Sequence, residues 1–206
     1  MVSEIKKKQK ASTSQKGKQR ILEAASKHFQ TASYARTRVD DICEMAGISK
    51  GAFYLYFQTK EEMMEELFRQ FFSEMQGNLQ AFISSHPPSP IAALELFRMS
   101  LEVTQGELHM TRLFFEAFGS TIANDSGSMN TFVGRVFNQM AGDLQKWMQL
   151  PESGRNTMRT LISCMDGIVL HWAFFKTPRS KRIKQMDAFL ELVDHSTSGV
   201  LPNARI

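Results

Sequence analysis

The chain has 206 residues, 42% of them hydrophobic, and a formal net charge of +4. This length suits one ordinary core or a small module docked on a larger one. Residues 1–60 carry 12 Lys and Arg against 5 Asp and Glu, whereas residues 61–206 carry 13 against 16. The basic part predicts a polyanionic partner such as nucleic acid, with a solvated basic tail as the alternative.

Cysteine usage and hydropathy indicate the cellular compartment of the protein. Cys43 and Cys164 are far apart and lack the paired spacing of a zinc or redox site, which predicts structural thiols in a reducing environment. The polar, Lys-rich N-terminus lacks the apolar run of a signal peptide, and residues 162–175 are too short to span a bilayer. We expect a cytoplasmic, nucleoid-associated protein with no membrane partner.

Sequence patterns typical of enzymes are absent. The chain contains no phosphate-cradling glycine loop, no His-Glu-x-x-His, no Gly-x-Ser-x-Gly and no clustered metal ligands. We therefore expect no catalytic residues, no cofactor and no metal site.

The N-terminal part is predicted to be a flexible basic arm followed by a helix. Residues 1–16 are rich in Lys, Ser, Thr and Gln and lack apolar groups, which is typical of a mobile segment. From Gly17 to about Gln30, apolar residues recur every three or four positions, as in an amphipathic helix. This stripe consists of Ile21, Leu22, Ala25 and Phe29.

Two short helices joined by a glycine turn follow. A second stripe, formed by Val39, Ile42, Cys43 and Ala46, predicts a helix that ends at about Ala46. Gly47 tolerates the positive φ that a tight turn requires, and Ser49 is a good N-cap for the next helix. Phe53 and Phe57 are four residues apart, so one face of that helix is expected to pack inward.

The remainder is predicted to be entirely helical. Thr59, with Glu61 and Glu62 behind it, begins a fourth helix at about residues 60–84, and the proline-rich break at residues 86–90 ends it. Further helical segments at about 91–105, 107–122, 128–149 and 154–176 precede a final helix with Ile183 and Val193. The fold class is therefore all-α with about nine helices, divided into a helix-turn-helix at residues 17–60 and a helical domain at 61–206.

A trihelical unit of this kind places its last helix in the DNA major groove. Lys50 can reach guanine acceptors or phosphate, and Gly51 allows close approach of the backbone. The hydroxyls of Tyr54 and Tyr56 can donate to phosphates, and Lys60 is a further candidate phosphate clamp.

The order and spacing of these residues resemble the tetracycline-repressor (TetR) family over about residues 18–66. The matching positions are Phe29, Tyr34, Thr37, Asp41, Ile42, residues 46–51, Tyr54, Tyr56, Phe57, Lys60 and Glu61. The resemblance implies a homodimer that reads a palindromic operator, in most members a repressor released by a small molecule. It also implies base-facing roles for Lys50, Gly51 and Leu55, and phosphate contacts for Ser49, Tyr54, Tyr56 and Lys60.

Three residues depart from the family pattern. Ser33 replaces a glycine, Ala52 lacks a hydroxyl, and Arg38 stands where Thr or Ser usually caps the second helix. Arg38 cannot accept the capping hydrogen bond and is instead a candidate phosphate contact. The candidate DNA-binding residues are therefore Thr37, Arg38, Ser49, Lys50, Gly51, Ala52, Tyr54, Leu55, Tyr56 and Lys60.

Heptad-like apolar spacing in the last two helices suits a close helix partner. The family resemblance implies that these helices pair with those of a second copy, and an intramolecular core is the alternative. The candidate dimer-interface residues are Met158, Leu161, Met165, Ile168, Trp172, Met186, Leu190 and Val193.

Met and Phe residues are dense between residues 97 and 148, which suits an adaptable apolar cavity, although each alone is more typical of an ordinary core. The candidate pocket residues are Met110, Phe114, Phe118, Phe137, Met140, Trp147 and His171. We expect an unidentified, largely hydrophobic effector bound between the segments at 91–176. The function predicted is a DNA-binding transcriptional regulator, and the alternative is a ligand-independent or nonspecific nucleic-acid-binding, chromosome-organising protein.

Overall fold

A computed structural model describes the backbone of residues 2–122 and 127–198 and the side chains of residues 15–117 and 131–197. Within these ranges the chain forms nine α-helices and no strand, which confirms the all-α prediction. The helices are α1 (Val2–Phe29), α2 (Val39–Ala46), α3 (Lys50–Tyr54), α4 (Lys60–Ser85), α5 (Pro90–Gly106), α6 (Leu108–Ile122), α7 (Gly127–Trp147), α8 (Gly154–Phe175) and α9 (Arg179–Ser198).

The first helix is longer than the sequence pattern predicts. Helical backbone begins at Val2, so the separate arm expected over residues 1–16 is instead a continuation of α1 through Gly17. No proline interrupts this segment, and its Lys, Gln and Ala residues have good helix propensity. Extending an existing helix costs less than nucleating a new one, which accounts for the difference.

The turn between α2 and α3 follows the sequence prediction. Gly47 adopts the left-handed conformation, with φ 62°, and its N–H donates to Glu44 O at 3.1 Å. The N–H of Ile48 donates to Cys43 O at 3.0 Å, so the orphan carbonyls at the end of α2 are satisfied. Ser49 caps α3, because its Oγ accepts from the Ala52 N–H at 3.1 Å.

The chain divides into two compact units. The N-terminal unit contains residues 1–71 and 113–121, and the C-terminal unit contains residues 72–112 and 122–206. The boundary between these units lies within α4, and residues 113–121 of α6 belong to the N-terminal unit. Within the N-terminal unit, the rings of Phe68 and Phe114 meet edge to face at 5.2 Å, and the Tyr34 N–H donates to Glu116 Oε2 at 3.0 Å.

The heptad-like apolar stripes of α8 and α9 pack inside the C-terminal unit of the same chain. Ile168 is half-buried, and the other seven candidate interface side chains are buried within the single chain, with Trp172 only 1% exposed. Phe189 of α9 meets Phe97 of α5 at 5.7 Å, so α9 completes this core. The residue assignment for the dimer interface is therefore corrected: these side chains form an intramolecular core and offer a second copy little surface.

No helix in the described part of the chain has both the length and the apolar character needed to cross a membrane. Over the same residues, His, Cys, Asp and Glu side chains do not gather in groups able to hold a metal ion. Cys43 is buried and Cys164 is exposed, and both are free thiols.

Candidate DNA-binding helix and effector cavity

The short helix α3 is anchored by aromatic side chains and leaves its other face open. Phe53 and Phe57 are at most 1% exposed and meet at 5.7 Å. On the open face, Tyr54 is 46% and Leu55 is 83% exposed, and Lys50 and Gly51 are also exposed. The anchors therefore present the open face to a partner without a change in the fold.

Lys50 is paired with an acidic residue of the preceding helix. Its Nζ lies 3.0 Å from Asp40 Oδ1 and 3.1 Å from Oδ2, and both side chains are about half exposed. The hydrogen bond from Lys50 to Asp40, followed by the charge of that carboxylate, raises the pKa of Lys50. Lys50 is thus a cation whose charge is already paired with a carboxylate on this face.

Thr37 and Lys60 bind the loop between α1 and α2. Thr37 is 3% exposed and its Oγ1 donates to Ser33 O at 2.9 Å. Lys60 Nζ donates to Tyr34 O and Thr37 O, both at 3.0 Å, and lies 4.1 Å from the centre of the Tyr34 ring. The structure therefore directs Thr37 inward and commits two Lys60 donors to the loop, in contrast to their expected roles at DNA.

Tyr34 fixes the same loop to the start of α4. Its hydroxyl donates to Glu61 Oε1 at 2.8 Å. Burial, the hydrogen bond to Glu61 and the charge of that carboxylate hold the pKa of Tyr34 well above its usual range. Burial alone would raise the pKa of Glu61, but a backbone amide, the Tyr34 hydroxyl and the charge of Lys60 lower it overall. The loop thus stays fixed at neutral pH.

Arg38 is exposed at the start of α2. The Asp41 carboxylate accepts from the Arg38 N–H at 2.7 Å, and the Asp41 N–H donates to Arg38 O at 3.2 Å. Asp41, rather than the side chain of Arg38, thus provides the polar group that caps the start of α2. The guanidinium of Arg38 is therefore available at the surface.

Tyr56 and Ala52 occupy the edges of the open face. Both are half-buried. The Tyr56 ring lies directly over Gly17 of α1, where a Cβ would clash with its Oη and Cζ. The position of the Tyr56 hydroxyl therefore depends on the absence of a side chain at Gly17.

A cavity of about 520 Å³ lies within the C-terminal unit. Four helices contribute to it, namely α4, α5, α7 and α8. Its apolar lining consists of Met75, Leu79, Ala81, Phe82, Leu96, Phe97, Met99, Val103, Met140, Leu144, Ile162 and Met165, and its polar lining consists of Asn78, Ser85, His86, Ser100 and Thr104. A volume of this size is in the range of small-molecule sites.

Of the seven candidate pocket residues, Met140 alone lines this cavity. The Phe114 ring packs on Phe68 in the N-terminal unit, and the side chain of Phe118 lies outside the described residues. Met110 is buried elsewhere in the core, and the exposed His171 ring packs against Phe175 at 4.4 Å.

The two other candidates, Phe137 and Trp147, lie outside this lining. The Phe137 ring packs on Phe72 at 5.8 Å, and Trp147 Nε1 donates to His86 O at 2.9 Å. The site predicted between residues 91 and 176 does not include α4, which lines the cavity in the structure. The apolar stripe of α4 continues from Leu67 through Met75, Leu79 and Phe82, and this continuation was the available signal.

The exposed face of α8 carries no charged side chain over the four turns from Thr160 to Phe175. Phe174 is 45% exposed and Phe175 is 70% exposed, with the exposed Cys164, Gly167 and His171 on the same helix. Solvated faces of helices ordinarily carry charged residues, so this face has the composition of a protein contact surface.

Residues 21–67 match the sequence model of the family described as bacterial regulatory proteins, tetR family. This segment extends from α1 into α4 and includes the exposed Lys50, Tyr54 and Leu55. Over this segment the chain is similar to TetR-family transcriptional regulators.

Curated relatives extend this similarity. The chain is 23% identical over 181 residues to the HTH-type transcriptional repressor DhaR of Mycobacterium sp. strain GP1, covering 85% of this chain and 89% of that protein. It is 35% identical over 98 residues to the HTH-type transcriptional regulator RutR of Escherichia coli K12, a match that covers 47% of this chain and 45% of RutR.

Solved structures show the same fold over both units. A TetR-family regulator from Syntrophomonas wolfei aligns with a TM-score of 0.69 at 16% identity, covering 91% of this chain and 97% of that one. The regulator FadR from Bacillus subtilis, solved in complex with stearoyl-CoA, aligns with a TM-score of 0.67 at 15% identity, covering 86% and 98%. The similarity of fold thus extends beyond the segment that the family model matches.

Proposed function

We propose that this regulator is a homodimeric repressor whose two α3 helices bind successive major grooves of a palindromic operator. The observation that carries the proposal is the open face of α3, where Lys50, Tyr54 and Leu55 are exposed on a helix fixed by buried Phe53 and Phe57. A twofold dimer suits half-sites about 34–36 Å apart.

The residues of the helix-turn-helix take distinct roles in this proposal. Lys50 and Leu55 contact base edges, and Gly51 allows the backbone to approach them. Ser49, Tyr54 and Tyr56 contact phosphates, and Arg38 adds a further phosphate contact from the start of α2. Ala52 lies beside this surface, and Thr37 and Lys60 act through the loop that they hold.

The uncharged face of α8 is the surface on which we place the second copy. It supplies large exposed side chains, Phe174 and Phe175, and the exposed Leu192 of α9 adds to the apolar surface of the same unit. A DNA reader of this kind needs a twofold partner, so a second copy is the occupant that the function requires. The dimer contacts then come from these exposed side chains rather than from the buried stripe.

Regulation acts through α4 in this proposal. The helix contributes Met75 through Ser85 to the cavity and extends without interruption to Lys60, whose Nζ bonds the loop before α2. An effector with higher affinity for the conformation that does not bind DNA shifts the population away from the operator. The relatives named as repressors support this direction of control.

Selection of binding sites from a random double-stranded library tests the proposal. We expect a palindrome bound about a thousandfold more tightly than random duplex. The Lys50→Ala variant should lose discrimination between sequences, whereas removal of residues 2–15 should lower affinity uniformly and flatten the salt dependence. Recovery of no preferred sequence would contradict the proposal and favour a nonspecific nucleic-acid-binding protein.

A further inference from the structure

The cavity of the C-terminal unit has an uncharged lining. Of the described residues that line it, none is Lys, Arg, Asp or Glu, and twelve are apolar. A carboxylate or phosphate bound there would find no cation, and an ammonium group would find no anion. Because burial of an unpaired charge is costly, the lining favours a ligand whose buried part is neutral.

The hydroxyl groups of the lining have already used their donors. Ser85 Oγ donates to Ala81 O at 2.8 Å, Ser100 Oγ donates to Leu96 O at 2.8 Å, and Thr104 Oγ1 donates to Ser100 O at 2.6 Å. Each bond runs back to a carbonyl four residues earlier in the same helix. The unused lone pairs of Ser100 Oγ and Thr104 Oγ1 therefore remain as hydrogen-bond acceptors, whereas Ser85 Oγ also lies 3.0 Å from His86 Nδ1.

His86 can donate or accept according to its tautomer. Its Nδ1 lies 3.0 Å from both Phe82 O and Ser85 Oγ, and its ring stacks on the Phe82 ring with centroids 4.0 Å apart. Nε2 is an acceptor when Nδ1 carries the proton and a donor when Nδ1 accepts from Ser85 Oγ. Asn78, whose amide can serve as donor or acceptor, is a lining side chain able to donate without giving up such a bond.

We propose that the effector is a neutral molecule with an apolar body and a hydroxyl or N–H donor, held by the acceptors of Ser100 and Thr104. This inference rests on the proposed function of the cavity as the effector site. A ligand with acceptors alone that binds beside Ser100 and Thr104, away from Asn78, would have to displace these hydroxyls from their carbonyls and would lose about one hydrogen bond in the exchange. A carboxylate would in addition be buried without a cation.

Three matched probes test the assignment by calorimetry on the full chain near neutral pH. The first is para-hexylphenol, a neutral donor; the second is para-hexylanisole, with a similar body and an acceptor alone; the third is para-hexylbenzoate, an anion. We expect the phenol to bind about tenfold more tightly than the anisole. The benzoate should bind at least about a hundredfold more weakly than the phenol.

A double variant tests which side chains cause the preference for the phenol over the anisole. Ser100→Ala combined with Thr104→Val should remove the advantage of the phenol over the anisole while leaving anisole affinity unchanged. The matched control is Ser84→Ala, whose hydroxyl also bonds its own helix, to Gln80 O at 2.7 Å, but does not line the cavity. Ser84→Ala should retain the full preference for the phenol.

Equal affinity for phenol and anisole, or tighter binding of the benzoate, would overturn the proposed ligand class. Binding of none of the three probes would overturn it as well. The same protein samples are assayed for binding to the selected operator, so failure of the ligand class remains distinguishable from failure of the proposed DNA-binding function.

Discussion

The N-terminal and C-terminal units are stabilised at their functional surfaces by different interactions. In the N-terminal unit, polar side chains fix backbone: Lys60 bonds the carbonyls of Tyr34 and Thr37, and Arg20 bonds Gly47 O at 3.3 Å. In the C-terminal unit, the cavity is surrounded by Met, Phe and Leu side chains. Base readout needs fixed geometry, whereas a ligand cavity gains from side chains that repack.

The largest expected effect comes from a substitution in the C-terminal unit that breaks the proposed dimer and so weakens DNA binding by the N-terminal unit. Phe175→Glu places a charge on the uncharged face of α8 and should convert the protein to a monomer in analytical ultracentrifugation. Operator affinity should fall by at least about a hundredfold, because each half-site is then bound independently. Lys184→Glu, at an exposed and already charged position of α9, is the control and should remain dimeric. A Phe175→Glu protein that stays dimeric would show that the interface lies elsewhere.

The fixed geometry of the N-terminal unit predicts the next effect. Gly47→Ala forces a side chain into the left-handed conformation and within 2.9 Å of Arg20 Nη2. The free energy of unfolding, measured with urea, should fall by about 1–2 kcal/mol. Gly77→Ala is the matched control, since its Cβ would meet no atom within 4 Å and the substitution should stabilise α4 by about 0.5–1 kcal/mol. Equal stability of the Gly47→Ala protein and the unmodified protein would contradict the role of the turn.

These two units also differ in how far sequence reasoning succeeded. The positions of Ser49, Gly47 and Phe53 follow from local rules of capping, backbone conformation and helical spacing, and the structure agrees with them. The cavity depends on which faces of four helices meet, and spacing within one helix does not determine its partner. For the same reason the stripe containing Met165 and Trp172 was assigned to a second copy although it forms the core of one chain.

Contacts of long side chains in the N-terminal unit could not be predicted for a related reason. Lys60 is predicted as a phosphate clamp from its place near the start of α4 and from the family resemblance. Its two carbonyl partners lie 23 and 26 residues away in the sequence, and no local pattern indicates them. Glu116 is more distant still, 82 residues from its partner Tyr34.

The half-buried Asp166 of α8 predicts a pH-dependent stability of the C-terminal unit. Burial raises the pKa of Asp166 to about 7, partly offset by the charge of Arg159. The unfolded pKa is about 4, so the folded state binds the proton more tightly and loses stability as pH rises from about 4 to about 7. Asp166→Asn should remove this loss, with a gain on the order of 1 kcal/mol larger at about pH 8 than at about pH 5. Parallel stability profiles of the two proteins in urea unfolding would contradict this assignment.

The smallest expected effect concerns the ion pair on the DNA-binding face. Asp40→Asn releases Lys50 and removes a negative charge that faces the phosphates, so affinity for random duplex should rise several-fold at low salt. Affinity for the operator should rise less, which lowers discrimination between sequences. Fluorescence anisotropy with both duplexes measures the ratio, and the exposed Glu44→Gln of the same helix is the control. An unchanged ratio would show that Asp40 does not influence the use of Lys50.

The central claim, that the cavity of one unit controls DNA binding by the other, is tested most directly by titrating the protein with the selected operator at increasing concentrations of para-hexylphenol. The account predicts that operator affinity falls as the phenol saturates its site, and that the Ser100→Ala and Thr104→Val double variant requires more phenol for the same release. Operator affinity that stays constant while calorimetry shows the cavity to be occupied would contradict it.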